Sequence, residues 1–153
     1  MRNLRVAMQT TLLLGLIAIS YPAHAAEVSL TACPSDKTVI GEVSACGKVW
    51  KLGSGDAALS PDGKLVVDLH GLVLNDASVG QFNGTPDGVD AVALAVVCGG
   101  TVAAQTEPVA LNKTGDAHIA TTVTLPKSCT SPTILVRERY EGKIGGWLAA
   151  TGR

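Results

Sequence analysis

The chain has 153 residues, which is enough for one ordinary domain, and its 12 basic and 13 acidic side chains give a formal charge of −1 at pH 7. Hydrophobic residues make up 46% of the sequence but aromatic residues only 3%, so the core must be built from aliphatic side chains. No basic cluster follows the first few residues, which argues against a nucleic-acid partner and against binding to anionic membrane surfaces.

Residues 1–25 predict a secretory signal peptide. Arg2 and Arg5 precede an apolar run, Thr11 to Ile19, that is too short to span a membrane, and a small-x-small sequence ends at Ala25. We expect cleavage there, leaving residues 26–153 as a single β-sandwich domain. Loss of two arginines leaves 10 basic against 13 acidic side chains, a formal charge of −3. No later apolar run is long enough for a transmembrane segment, so we expect an exported protein, periplasmic or secreted.

All four cysteines follow the predicted cleavage site, and an even number in an exported chain favours disulfide bonds. Of the three pairings, we predict Cys33–Cys46 and Cys98–Cys129, because each pair brackets one turn-rich unit. Zinc is the competing interpretation, but no two of these cysteines have the close spacing of a metal knuckle.

The segment Leu30 to Cys33, LTAC, has the form of a bacterial lipobox, in which the cysteine is acylated. We expect no lipid anchor at Cys33 for two reasons. A lipobox normally follows the apolar run directly, and lipidation would leave Cys46 without a partner.

Short alternating segments between Gly- and Pro-rich turns predict strands, and the chain shows no sustained helical period. Turn signals at 53–56 and 60–63 predict a surface connection between them. Gly71 predicts a bend or bulge, and residues 76–88 a turn-rich loop of the kind that is often functional or disordered. The predicted strands are 27–32, 38–44, 48–52, 64–75, 89–98, 101–106, 109–111, 116–125, 133–140 and 146–151.

The segment 89–98 is apolar on nearly every residue, which is typical of a central strand covered on both faces. Together with the turns and cysteines, the strand pattern predicts an all-β, disulfide-stapled β-sandwich that is immunoglobulin-like in architecture. The alternative is a closed β-barrel.

The C-terminal half carries the pattern GDAxI…LPxxCxxP…WxAxTG, formed by Gly115 to Ile119, Leu125, Pro126, Cys129, Pro132, Leu135 to Arg137 and Trp147 to Gly152. In this pattern it resembles a group of small exported bacterial proteins of unknown function. That resemblance implies export and a β-fold, and it implies no activity.

His70 and His118 are the candidate metal ligands, each on the polar face of a predicted strand. If those strands pair, the two imidazoles could bind copper or zinc with Asp68 or Asp116. The simpler interpretation is that both are exposed strand residues. A calcium loop formed by Asn75, Asp76 and residues 83–90 is a further alternative, although turn formation alone explains its composition.

Catalytic motifs are absent from the sequence. There is no Gly-x-Ser-x-Gly elbow, the cysteines are assigned to disulfides, and the serines lie in turns. A Ser-His-Asp set formed in space remains open, so a hydrolase with an unrecognised site is one alternative.

Trp50, Tyr140 and Trp147 form the candidate binding surface for sugar or peptide, since exposed rings give contact area at small entropic cost. The other interpretation is that both tryptophans plug the ends of an aliphatic core. We expect an exported, non-enzymatic protein that works by binding or as a structural module, with no cofactor. Its partner would be an unidentified protein or carbohydrate, and the alternatives are a metal-binding protein using His70 and His118, or a hydrolase.

Overall fold

The computed structural model describes residues 25–35 and 37–153, so the predicted signal peptide lies outside the described residues except for Ala25. Within them the chain is almost entirely β, which confirms the predicted fold class. One short 3-10 helix, Ala77–Phe82, interrupts the strands. The strands are β1 Glu27–Ala32, β2 Trp50–Lys51, β3 Ser54–Leu59, β4 Lys64–His70, β5 Val73–Leu74, β6 Ala91–Cys98, β7 Thr101–Gln105, β8 Val109–Ala110, β9 Ala117–Thr122, β10 Thr133–Tyr140 and β11 Lys143–Thr151.

The main sheet is antiparallel and curled, with strand order β7-β6-β10-β11-β1-β3-β4-β9 and β8 added beside β6. β1 joins its two halves, because residues 27–29 pair with β3 whereas residues 30–32 pair with β11. The two halves enclose the core as in a sandwich. The end strands β7 and β9 are not paired with each other in the described part of the chain, so the sheet is open and the closed barrel is not formed.

None of the helices among the described residues is long or apolar enough to cross a membrane.

β6 lies between β10 on one side and β7 and β8 on the other. Every residue from Ala91 to Val97 is buried, which confirms the prediction that this segment is covered on both faces. One face meets the other half of the sheet, which contributes Leu65, Val67, Leu69 and Ile119 to the same core cluster. A chain with so few rings thus fills its core with aliphatic side chains, as its composition predicts.

Residues 33–35 and 37–46, which we call the covering segment, cover the other face of this half, next to Trp147. The Trp147 backbone N–H donates to the carbonyl of Ser44 (3.0 Å), and its indole Nε1 donates to the carbonyl of Thr38 (3.1 Å). The strand predicted at 38–44 is wrong, since this segment makes only a tight turn with one isolated bridge between Ile40 and Val43. Two successive residues with positive φ, at 41 and 42, reverse the chain there.

Both predicted disulfides are present. Cys33–Cys46 closes the covering segment with a Cα–Cα distance of 6.1 Å, and Cys98–Cys129 ties the end of β6 to the loop before β10 with a distance of 5.2 Å. The first bridge uses the Cys33 sulfur that a lipid anchor would need.

The segment predicted as a surface connection is instead strand β3. It pairs with β1 on one side and β4 on the other, so it lies inside the sheet. Its glycine and serine residues are typical of a turn, which is why the sequence did not predict a strand. Gly55 is buried, and a Cβ at this position would stand 2.7 Å from Cδ2 of Leu52, so the Leu52 side chain fills the space beside it. At Gly71, by contrast, the prediction of a bend is confirmed: φ is +68° and the residue separates β4 from β5.

Candidate functional site

The loop between β5 and β6 is held by its own hydrogen bonds, as in an Ω-loop. The backbone of Leu74 donates to the carbonyl of Thr85 (2.9 Å), which closes the loop at its base. Asp76 caps the 3-10 helix Ala77–Phe82 by accepting from the backbone of Ser78 (2.9 Å). Hydrogen bonds from Ser78 hold the pKa of Asp76 below its ordinary value. The loop therefore presents a fixed surface.

Two adjoining hollows flank this loop. The larger, which we call the loop cleft, has a volume of about 690 Å³ and lies between residues 82–90, the corner at 111–113 and the hairpin turn at 141–142. The smaller, the aromatic hollow, has a volume of about 360 Å³ and includes Trp50, Phe82 and Tyr140 in its wall. Phe82 and residues 87–89 line both hollows, so the two form one continuous concave surface of the size expected for a ligand site.

Three of the four aromatic rings in the described part of the chain meet at this surface. Phe82 is 42% exposed and Tyr140 is 50% exposed, whereas Trp50 is 6% exposed and forms a floor. Trp147 is completely buried, so it contributes no ring to a binding surface. Both tryptophans thus belong to the core cluster, as in the alternative interpretation. Of the candidate surface residues, only Tyr140 is exposed, and Phe82 joins it.

The ring of Tyr140 lies against the loop between β5 and β6. Gly88, with φ of +81°, lies against the ring: a Cβ at this position would stand 2.8 Å from Tyr140 Cε2. Only glycine allows the loop backbone to lie this close with that φ. The ring itself sits at the end of β10, where Glu141 and Gly142, both with positive φ, form the turn into β11.

An ion pair supports the wall of the loop cleft. The Arg139 guanidinium donates twice to the Asp90 carboxylate, Nε to Oδ1 at 3.1 Å and Nη2 to Oδ2 at 2.6 Å. These hydrogen bonds lower the pKa of Asp90 and raise the pKa of Arg139. Two further carboxylates at the cleft, Asp87 and Glu141, are exposed and have no side-chain partner among the described residues.

Two of the three acids that suggested a calcium loop have other partners. Asp76 pairs with Lys48 at 3.7 Å and caps the 3-10 helix, while Asp90 pairs with Arg139. Within residues 25–35 and 37–153 no group of three or more His, Cys, Asp or Glu side chains is placed to hold a metal ion.

The two candidate metal ligands lie on the exposed face of β4 and β9. The pair of Leu69 and Ala117 separates the position of His118 from that of His70. His118 stands directly opposite Asp68, with Nδ1 to Oδ1 at 2.6 Å, and His70 faces Asp116, with Nδ1 to Oδ1 at 3.9 Å. Each imidazole therefore has its own carboxylate on the neighbouring strand. The arrangement is that of two cross-strand polar pairs.

A Ser-His-Asp row does occur in space. Ser54 is paired with His70 across β3 and β4, and His70 in turn faces Asp116. The row lies on the open face of the sheet, His70 is mostly exposed, and none of the three residues lines the loop cleft or the aromatic hollow. The distance from His70 to Asp116 is too long for the hydrogen bond that fixes the imidazole in a triad. This arrangement offers no enclosed place for a substrate.

The GDA segment of the resemblance pattern forms a structural corner. A Cβ on Gly115, where φ is +80°, would lie 2.3 Å from the carbonyl oxygen of Leu72. Asp116 accepts from the Thr114 hydroxyl (2.6 Å) and the Gly71 backbone (2.9 Å), and these bonds lower its pKa. The segment thus locks the bend at Gly71 to the start of β9.

Other residues of the pattern also support the fold. Cys129 forms the second disulfide, Arg137 donates to the carbonyl of Gly145 (2.8 and 3.0 Å), and the Thr151 hydroxyl accepts from the backbone of Ile134 (2.9 Å). These residues shape the scaffold, and the exposed rings of the concave surface lie outside the pattern.

Phe82 was missed in the sequence because it lies in a polar loop without periodicity. The signal that could have found it is its position as the one phenylalanine of the chain, placed where no core strand is predicted. Comparison of the chain with protein-family models, with curated proteins and with solved structures gave no match.

Proposed function

We propose that this is an exported, non-enzymatic β-sandwich protein that binds a partner in the cell envelope or outside the cell through its concave surface. The observation that carries the proposal is the meeting of Trp50, Phe82 and Tyr140 at one surface, with two of the rings exposed. Exposed rings cost hydration free energy, and a binding partner recovers it.

Support for export comes from residues 1–25 and from the two disulfides, which form and persist in oxidising compartments. Recovery of the protein from the periplasmic fraction or from the medium distinguishes a periplasmic protein from a released one. We expect the native protein to have the mass of residues 26–153 less four hydrogens, two for each bridge. Intact mass spectrometry of periplasmic and medium fractions checks this, and a mass starting at Cys33 with acyl chains would contradict it.

Support for a non-catalytic role comes from the placement of the titratable groups. The His–Asp pairs lie on the exposed face of β4 and β9, whereas the concave surface is lined by rings and carboxylates without a histidine. General acid–base chemistry near neutral pH normally needs a group of intermediate pKa beside the substrate. The rings and carboxylates of this surface are suited to holding a ligand.

The binding proposal predicts that the rings retain the protein on envelope material. In a sedimentation assay with envelope fragments of the source cells, the processed wild-type protein should co-sediment. The double variant Phe82→Ala/Tyr140→Ala should bind at least about tenfold more weakly, because rings of this kind are common hot spots. The matched control is Val28→Ala/Val39→Ala, which also removes two exposed apolar side chains, but from other parts of the surface.

We expect the control to sediment like the wild type. Equal sedimentation of all three proteins would show that the rings are not the contact surface, and a wild-type protein that stays in the supernatant would contradict envelope binding itself.

A further inference from the structure

The exposed rings and the two carboxylates without partners lie side by side. Phe82 and Asp87 line both hollows, Tyr140 lines the aromatic hollow, and Glu141 follows Tyr140 directly in the hairpin turn. We propose that this concave surface binds a neutral oligosaccharide, with the rings of Phe82 and Tyr140 against sugar faces and the carboxylates of Asp87 and Glu141 accepting from sugar hydroxyls. This inference rests on the proposed function and names its ligand class.

The rings provide the apolar half of such a site. A pyranose presents its C–H groups on one face, and an aromatic ring fixed in position offers a complementary flat surface at small entropic cost. The ring of Tyr140 lies against Gly88, and Phe82 is the last residue of the 3-10 helix, after a kink at Gly80. Both rings are thus presented from hydrogen-bonded backbone, which lowers the cost of ordering the site.

The carboxylates provide the polar half. Each ionised carboxylate has two acceptor oxygens and no donor, which suits neighbouring hydroxyl groups that need acceptors. Lys113, also at the loop cleft, can donate to sugar oxygens. Asp90 is already occupied by Arg139 and serves the wall of the cleft.

The charge balance favours a neutral ligand. Around the whole concave surface, four carboxylates (Asp87, Asp90, Glu138 and Glu141) face three cations (Lys48, Lys113 and the Arg139 that pairs with Asp90), a net charge of 3 − 4 = −1. A net charge of −1 repels a polyanion and is too small to hold a polycation, which would also meet Lys113. A neutral glycan gains hydrogen bonds with neither penalty.

The walls of the cleft favour a glycan over an extended peptide. Peptides that bind β-proteins commonly add a strand to a free sheet edge, where backbone hydrogen bonds give the affinity. The ends of this sheet are β7 and β9, which border a different cleft of about 570 Å³. The loop cleft is bounded by a loop, a corner and a hairpin turn, so it offers side chains more than a backbone edge.

The test is a titration of the processed protein with chitohexaose, cellohexaose, maltohexaose and mannohexaose. Trp50 lies in the aromatic hollow while Trp147 is buried beneath residues 38–45, so a change in tryptophan emission reports the hollow. We expect saturable binding of at least one sugar in the range of about 10 µM to 10 mM, as for a shallow open site. Trp50→Phe should lose the emission change but keep the binding heat in calorimetry.

Variants of the rings and carboxylates locate the contact. Tyr140→Ala should raise Kd by about tenfold or more, whereas Tyr140→Phe, which keeps the ring, should raise it by less than about threefold. Asp87→Asn and Glu141→Gln should each weaken binding by about threefold to tenfold, through the loss of charged acceptors. Val39→Ala, a change at an exposed apolar residue outside the surface, should leave Kd unchanged.

Absence of saturable binding to all four sugars would overturn the oligosaccharide proposal, and so would binding that Tyr140→Ala leaves intact. The proposed function is judged separately by the envelope assay. If ring-dependent sedimentation survives while no sugar binds, and protease treatment of the envelope abolishes it, the surface binds a protein. If sedimentation does not depend on the rings, the proposed function itself fails.

Discussion

Replacement of Trp147 by alanine is expected to lower the free energy of unfolding by about 3–5 kcal/mol, the usual range for removing a large buried ring. The side chain is fully buried, and its indole N–H donates to the carbonyl of Thr38. Alanine would leave a cavity between β11 and the covering segment and would remove the hydrogen bond to the carbonyl of Thr38. Urea denaturation followed by circular dichroism measures the change.

Two further variants show whether the effect comes from burial. Trp147→Phe keeps most of the apolar volume and should cost about 1–2 kcal/mol, so it gives a measurable value even if the alanine variant does not fold. Tyr140→Ala removes an exposed ring of the same sheet and should cost less than about 1 kcal/mol. Equal losses for Trp147→Ala and Tyr140→Ala would contradict the assignment of Trp147 to the core.

The fold could be predicted well where the sequence carries a local signal. The apolar run of β6 predicted a strand covered on both faces, Gly71 predicted the bend, and the positions of the cysteines predicted both bridges. In each case the physical requirement is expressed by the residues themselves: burial needs apolar side chains, a positive φ favours glycine, and a bridge needs two cysteines.

Two segments were misjudged because their structure depends on distant partners. Residues 38–44 alternate like a strand, yet they form a turn that packs over Trp147. The backbone of Gly41 packs against Val97, and a Cβ on Gly41 would stand 2.4 Å from the Val97 side chain. The sequence of residues 54–59 predicts a loop, yet these residues form a strand because they pair with β1 on one side and β4 on the other. Pairing and close packing override local propensity in both cases.

The concave surface was predictable only in part. Tyr140 was a candidate from the sequence, but its neighbours Phe82 and Gly88 are more than fifty residues away in the chain and meet it only because β6 and β10 are adjacent in the sheet. The two tryptophans looked alike in the sequence, and the fold gave them different places: one in the floor of the aromatic hollow, the other beneath residues 38–45.

Removal of the Cys33–Cys46 bridge is the second change with a large expected effect. Loop entropy alone assigns about 3 kcal/mol to this bridge, which spans 13 residues, and about 4 kcal/mol to Cys98–Cys129, which spans 31. We expect the opposite order in experiment: Cys33→Ala/Cys46→Ala should lower the free energy of unfolding by more than Cys98→Ala/Cys129→Ala. The shorter bridge is buried and closes the segment that covers Trp147, so its loss also loosens part of the core.

The two causes can be separated by measuring the native state as well as stability. In a Trp50→Phe background, the emission of Trp147 should shift to longer wavelength under native conditions in Cys33→Ala/Cys46→Ala and stay unchanged in Cys98→Ala/Cys129→Ala. If the covering segment held its place without its bridge, the emission would not shift, and the free energies of unfolding would follow loop length. In that case the contacts of the segment with the rest of the fold, including those with Trp147 and Val97, would hold it in place, and the bridge would act only on the unfolded chain.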